Sequence, residues 1–467
     1  MKLVEKHIIN PNNEFFEEID SIAFLSKNLY NRSNYIIRQE YISTSKEIEK
    51  QYREDKLKEE IKSKKLKCKK KNSKIKKQVK SKEKKHAKWI RYNELQKMLQ
   101  ETKDVDYYAL PTKVSQQVLM QLDRDWKSFF KSIREWNKNP DKFTGKPSLP
   151  KYKHKTKGRN ILIYTIQAIH KNELEDFILH PSGTNIRIKI LHNKKVKQAR
   201  IVPLNNGRYK VELIYEQRRK INKSLNKKII ASVDIGVNNL AAVTSNHNKW
   251  TPLLINGKPL KSINQYFNKS KSELVSELMK MDKNRRTSKQ IDTLTHKRNM
   301  KIEDCLHKST NALINLLVPF QVGVLVIGKN PNWKQEINIG KKNNQNFVSI
   351  PFARFIEMLK YKCDLIGMKV IIREESYTSK CSFIDEEKIC HHENYMGRRI
   401  KRGLFKSKNG ILINSDCNGS GNILRKEFPN SFKKPNGIEG VVVRPLRINI
   451  PINKKLLVGQ YLHKQVA

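Results

Sequence analysis

A mixed α+β chain of more than one domain is what this sequence predicts: an N-terminal β-barrel carrying a helical insertion, then a C-terminal α/β domain on a partly parallel sheet. Three observations carry that expectation. At 467 residues the chain is longer than one ordinary core encloses. Short β-rich runs frame a region of helical periodicity in the first half. In the second half, apolar strand-like runs alternate with helix-length stretches, the signature of parallel strands joined by helices.

The segment MKLVEKHIINP reads as the first strand, and Ile19, Ile22, Ala23, Leu25, Leu29 and Tyr30 fall near helical spacing in a helix from about Phe15 to Tyr41. From Lys46 to His86 lysine dominates and large apolar residues are scarce, so this reads as a solvated helix or basic arm without a core of its own. Order resumes over Pro111 to Trp136, where Val114, Val118, Leu122, Trp126, Phe129, Phe130 and Ile133 form one apolar stripe, leaving Lys113, Arg124, Lys127, Lys131 and Arg134 on a basic face. The following PDKFTGKPSLPKYKHKTKGRN, with Lys151, suits a loop that grips a phosphate backbone. NILIYTIQAI, TNIRIKIL, QARIVPL and YKVELIYEQ then supply strands that close a small barrel with the first one.

From Lys227, KKIIASVDIGVNNLAAVTS reads as two strands joined by a Gly/Asn turn. A helical stretch over about Ser262 to Leu317 leads to the strand VGVLVIGKN, a helix from about Phe352 to Ile366, and the strand MKVIIREES. The expected divisions are 1–14 with 150–226 for the barrel, 15–149 for the helical insertion, 227–430 for the α/β domain with an insertion at 380–411, and 431–467 for a tail.

Charge narrows the function. Lys and Arg total 96 against 45 Asp and Glu, a formal charge of +51. Such a surplus repels itself in the compact state unless a polyanion neutralises it, so nucleic acid is the expected partner. No stretch approaches the ~20 apolar residues that span a bilayer, no apolar leader core opens the chain, and no membrane partner is expected. The expected location is the cytoplasm. The six cysteines lack a paired framework and read as reduced thiols.

Two carboxylates stand where chemistry needs them. IIASVDIGV ends its apolar run in Asp234, presenting an acid where a buried strand meets its turn. In INSDCNGSGNILRK, Asp416 sits in a polar turn that opens a helix, with Asn418 as either metal helper or cap. Two Mg²⁺ ions about 3.5–4 Å apart, held by rigid carboxylates, are the usual apparatus of phosphodiester hydrolysis.

ASVDIGVNNLAAVTS resembles the first RuvC motif of the TnpB family and of related type V CRISPR effectors, and NSDCNGSGNILRK resembles the third. LPTKVSQQVLMQLDRDWKSFFK, FTGKPSLPKYK, NWKQEINIGKKNNQNFVSIPF and EESYTSKCSFID extend the likeness in family order from about residue 109 to 424. The resemblance implies a wedge-like barrel with a helical recognition insertion, then an RNase H-like (RuvC) nuclease domain. It implies a transposon-encoded, Mg²⁺-dependent DNA endonuclease, guided by an RNA from the transposon end to double-stranded DNA that carries a short adjacent motif.

This sequence departs from the family twice, which places it in a subgroup with an altered second RuvC motif. That motif usually puts Glu after its strand, whereas VLVIGKN has Gly328 there. Adjacent strands lie only ~4.8 Å apart, so a glutamate ending MKVIIREES is positioned to replace it. Glu374 and Glu375 are the candidates, and as neighbours on a strand they face opposite sides. Glu336 is a lesser one. Relatives also carry two C-x-x-C pairs, whereas the interval here offers Cys381, Cys390, His391 and His392, so structural Zn²⁺ is not expected. Arg398, Arg399, Lys401 and Arg402 suit phosphate contact near the cut strand, while Trp333, Lys334 and Gln335 brace the loop after the second strand, with Lys334 a further nucleic-acid candidate. Tyr377, Thr378 and Ser379 lack the Arg/His set a recombinase nucleophile needs. The expected function is RNA-guided cleavage with Asp234, Asp416 and Glu374 or Glu375 as metal ligands. The alternatives are an RNA-guided DNA-binding protein without cleavage and a generic basic RNA-binding protein.

Overall fold

The computed structural model describes residues 1–67, 89–330, 340–432 and 445–449. They fall into two compact units, Lys2–Gln217 and a second from Arg218 onward. The division comes earlier than expected at 226 because the connecting segment belongs to the second unit: the Lys220 N–H donates to the Leu365 carbonyl at 2.7 Å and that of Asn222 to Ile366 at 2.9 Å.

In the first unit, strand β1 (Lys2–Ile9) leads into helix α1 (Phe16–Lys67), which runs on through the start of the lysine tract; residues 68–88 of that tract lie outside the described residues. Helices α2 (Tyr92–Glu101), α3 (Val105–Tyr108) and α4 (Thr112–Lys138) follow, then β2 (Leu162–Thr165), α5 (Lys171–Glu175), β3 (Ile178–Leu179), β4 (Ile188–Lys189), β5 (Val196–Pro203) and β6 (Tyr209–Glu216). The stripe expected on α4 is buried: Val114, Val118, Leu122 and Trp126 share a core with Ile19, Ala23, Leu29 and Ile37 of α1. Trp126 solves its buried N–H by donating to Asn34 Oδ1 at 3.0 Å. The strands differ from the expected closed barrel. Among the described residues the ladder is an open sheet, β1-β6-β5-β2, with β3 and β4 forming a separate ribbon. TNIRIKIL supplies only the two residues of β4 and NILIYTIQAI only the four of β2, too little ladder to join the edges.

The second unit is built on a six-stranded sheet. Its strands are β7 (Asn226–Asp234), β8 (Asn239–Ser245), β9 (Leu253–Asn256), β10 (Val322–Gly328), β11 (Lys369–Arg373) and β15 (Leu446–Ile448), in the order β11-β10-β7-β8-β9-β15. β7, β8 and β9 form an antiparallel meander, β10 joins β7 in parallel and β11 joins β10 in parallel. Between them lie α6 (Lys258–Met281), α7 (Lys289–Leu317), α8 (Lys341–Ser349) and α9 (Phe352–Ile366); a small sheet of β12 (Arg398–Lys401), β13 (Leu404–Lys406) and β14 (Leu412–Asn414) precedes α10 (Ser415–Glu427). The single helical stretch expected over 262–317 is two helices, because Asp282 caps its own turn, accepting from the Asn284 N–H at 2.9 Å, and Ser288 starts α7 by accepting from that of Ile291.

Both faces of the sheet are covered, which is why its central strands read as continuous apolar runs. Ala231, Val233, Leu325 and Ile327 pack with Leu306, Leu313, Phe355 and Leu359 on one side. Ile230, Val324 and Val326 pack with Ile423 and Leu424 of α10 on the other. By strand alternation Asp234, Gly328 and Arg373 project toward the α10 side. Among the described residues, no helix is long and apolar enough to cross a membrane.

Candidate functional site

Asp234 ends β7 on the face that α10 covers. Helix α10 comes in unusually close: a Cβ placed on Gly419 would lie 2.6 Å from Asp234 Oδ2. The interface beneath is a knot of buried hydroxyls. Ser232 Oγ donates to the Ser420 carbonyl at 2.7 Å and lies 2.8 Å from Thr244 Oγ1, while Ser420 Oγ donates to the Ser232 carbonyl at 3.1 Å. Asp416, one turn earlier, stands in the first turn of α10, where the helix dipole favours an anion. Its Oδ2 accepts from Asn239 Nδ2 at 2.6 Å.

Glu375 lies two residues past β11, so it shares the side of Arg373 rather than that of Glu374. Its N–H donates to Asn330 Oδ1 at 2.9 Å, and Thr378 returns an O–H to its carbonyl at 2.8 Å. Its Oε1 is buried without a hydrogen-bond partner among the described residues, and burial pushes its carboxyl up to about 7. Asp234 is held well above the usual carboxylate range by burial first, then by the negative charges of Glu375 and Asp416; Arg399 and the Ile235 N–H act in the opposite direction. Asp234 therefore lies in the field of both other acids. Glu374 does not join them. It is exposed and absent from the charges that bear on Asp234, as expected of a residue one step out of phase with Arg373 and Glu375.

Gly328 is explained by the same geometry, since a Cβ there would collide with the Glu375 carboxylate and with Ile423 Cδ1. The space over Gly328 is taken by the Glu375 carboxylate, which comes from just beyond the neighbouring strand. As the side chains stand, no group of three or more His, Cys, Asp or Glu among the described residues is arranged to hold a metal ion. The donor chemistry nonetheless suits a divalent cation: oxygen ligands only, an orphaned buried oxygen, and anions crowded together.

Asn418 neither caps α10 nor faces the acids. It is buried, accepts from the Phe383 N–H at 2.8 Å and donates to the Cys381 carbonyl at 2.9 Å; the cap is Asn414, which accepts from the N–H groups of Asp416 and Cys417. Cys390 Sγ lies 3.4 Å from His392 Nε2, while His391 sits edge-on to Tyr377. Buried Glu387 ties this loop together by accepting from the N–H groups of Ser382 and Met396. Tyr377 is exposed and Thr378 is committed to the Glu375 carbonyl.

Among the basic candidates, Arg398, Arg399, Lys401 and Arg402 are exposed on and beside β12. Arg399 is opposite Phe405, itself opposite Ile413, residues buried on the α10 side, consistent with its pull on Asp234. Lys113, Arg124, Lys127 and Lys151 are exposed on the first unit, Lys127 paired with Asp123. Trp333, Lys334, Gln335 and Glu336 lie outside the described residues. Sequence reasoning missed Asn239 and Asn330, since an Asn in a turn signals nothing about a partner far along the chain. It also passed over a cleft of about 960 Å³ between α6 and α7, lined by Tyr266, Phe267, Leu274, Leu294 and Arg298 among others.

Residues 208–334 match the OrfB_IS605 family, described as "Probable transposase", and residues 352–423 match the Cas12f1-like TNB domain. The chain is 26% identical over 361 residues to the TnpB-like protein ORF457 of Acidianus two-tailed virus, covering 69% of this chain and 75% of that one. It is 23% identical over 240 residues to the CRISPR-associated endodeoxyribonuclease Cas12f2 of a Micrarchaeota archaeon, spanning 49% of this chain and 42% of the relative. Among solved structures, a Cas12f1 in complex with sgRNA and target DNA matches with TM-score 0.46 at 13% identity over 86% of this chain and 82% of that one. The mini-RNA-guided endonuclease Cas_phi3 matches with TM-score 0.43 at 9% identity over 95% and 93%.

Proposed function

We propose that this chain, which is related to the TnpB family and to Cas12f-like effectors, is an RNA-guided DNA endonuclease of a transposon, cutting phosphodiesters at Asp234, Glu375 and Asp416. The observation that carries the reading is convergence on one face of the sheet: Gly419 of α10, one turn after Asp416, abuts the Asp234 carboxylate, and the Glu375 carboxylate fills the space over Gly328 of β10, the strand beside β7. The strand order β9-β8-β7-β10-β11, with three antiparallel strands followed by two parallel ones, fits an RNase H-like domain, in which such acids gather.

The three carboxylates would hold Mg²⁺, which when bound supplies an activated water and neutralises the departing oxygen. Asn239 orients Asp416, α10 sets Asp234, and Arg399 offers a cation to the phosphate being cut. A guide RNA from the transposon end would sit with the target strand on the basic surfaces, Lys113, Arg124, Lys127 and Lys151 included, held through backbone phosphates while pairing reads the sequence. The target is double-stranded DNA with a short adjacent motif.

Gly328, standing where the family's second motif places a Glu, favours a second reading, an RNA-guided binder that does not cut. Plasmid cleavage with the copurified RNA separates the two. Cutting that needs Mg²⁺ and disappears in Asp234→Asn, Asp416→Asn and Glu375→Gln, but persists in Glu374→Gln, supports the nuclease. Retained RNA-directed binding with no cleavage by the unaltered protein establishes the second reading instead.

A further inference from the structure

Among the three carboxylates, only Asp416 shows a hydrogen bond from a side-chain donor within the described residues. Asn239 Nδ2 reaches its Oδ2 at 2.6 Å, and Asn239 is 7% exposed. The donor is rigidly mounted. Asn239 opens β8 in register with Asn256 of β9, and the turn before it is pinned by the Gly257 N–H on the Asn238 carbonyl at 2.8 Å and by Lys261 Nζ on Asn238 Oδ1 at 3.0 Å. The choice of an amide is informative, because a Lys or Arg there would hold the same oxygen but add a positive charge that competes with a metal.

With Oδ2 engaged by the Asn239 amide, Oδ1 is the less encumbered oxygen of Asp416, and the amide crowds the approach of a cation to both oxygens at once. We propose that Asn239 is a positioning residue that keeps Asp416 a single-oxygen ligand and thereby sets the preference of the site for Mg²⁺ over Ca²⁺. This rests on the reading of the three acids as a metal site. Mg²⁺ demands near-octahedral geometry with few, single-oxygen carboxylates, whereas Ca²⁺ takes six to eight oxygens and accepts carboxylates through both. Releasing Oδ2 opens the second mode, which only the larger ion exploits.

The test titrates Mg²⁺ and Ca²⁺ separately into the nucleic-acid-free full chain, with heat of binding and the rise in Tm as readouts. Asn239→Ala is expected to weaken Mg²⁺ binding by about tenfold or more and Ca²⁺ binding less, so the ratio of the two affinities moves toward Ca²⁺. Asn239→Gln, which keeps a donor, recovers part of that ratio. Circular dichroism without metal checks the fold, and Asn239→Ser replaces Ala if that variant fails to fold. An unchanged affinity ratio in the folded variant overturns the proposal while leaving the metal site standing, provided Asp234→Asn abolishes Mg²⁺ binding. If Asp234→Asn binds Mg²⁺ as the unaltered protein does, the metal-site reading falls and this proposal with it.

Discussion

Glycine at position 328 and glutamate at 375 are one structural decision, since a Cβ on the first would occupy the space of the carboxylate of the second. Gly328→Ala is therefore expected to cost about 1–3 kcal/mol by overpacking and to abolish cleavage by displacing Glu375. Thermal denaturation and a plasmid-cutting assay on the same preparation check both halves. Full cutting by Gly328→Ala would show that Glu375 is not needed where it stands. Part of this was legible in the sequence: the missing acid after VLVIG and the paired glutamates after MKVIIR are both visible there. Which glutamate faces Asp234 was not legible. It depends on the register Gly328 to Arg373 and on α10 covering that face, and neither is written in local spacing.

At the scale of elements, α10 reaches Asp234 because its first two turns are small. Gly419 brings the helix against the carboxylate, and Ser420 locks into Ser232 and Thr244. Gly419→Ala is expected to lower the cutting rate about 10²-fold by shifting Asp234 on the order of 1 Å, with RNA binding unchanged in a gel-shift assay. Ser420→Ala should cost only about 1 kcal/mol, because Ser232 and Thr244 remain bonded to each other at 2.8 Å. The sequence showed that a helix starts near Asp416 but misassigned Asn418, whose amide serves the backbone of Cys381 and Phe383. Nothing local distinguishes an Asn that caps from one that brackets a distant loop. In the first unit α1 is tied down through Asp20, which accepts from Arg159 Nη2 and Tyr209 Oη at 2.6 Å each. The Arg159 hydrogen bonds, opposed by burial and aided by Tyr209, hold the Asp20 carboxyl below its ordinary value of 3.8. A lowered carboxylate stabilises the fold above its unfolded pKa, and that stability disappears as pH falls through the folded value. Asp20→Asn should therefore lose roughly 1–3 kcal/mol near neutrality and converge on the unaltered protein in acid. Denaturant melts at pH 7 and pH 3 measure this, and an equal deficit at both would contradict the ionic role.

Across the whole molecule the formal charge of +51 is the dominant fact, and the first unit shows how part of it is aimed. Four residues on one face of α1 grip the backbone of a lysine-rich loop: Lys27 donates to the Lys155 carbonyl, Asn31 to that of Lys153, and Asn34 and Arg38 to that of Pro150, at 2.6, 2.9, 2.9 and 2.7 Å. With its backbone spent on the helix, the loop turns Lys151, Lys155 and Lys157 outward to solvent. A fixed row of cations costs little ordering entropy when phosphates arrive, so these lysines should each release counterions on binding. Affinity for RNA is expected to fall steeply with salt, with a log–log slope near −0.7 per phosphate neutralised on single strands. Replacing Lys151, Lys155 and Lys157 together by Gln should flatten that slope by about 2 while leaving the melting temperature of the free protein unchanged, because none of the four grips uses a lysine side chain of the loop. Filter binding across a salt series measures the slope. A slope identical to that of the unaltered protein would mean that the phosphates are held elsewhere, and that α1 grips the loop for the sake of the fold alone.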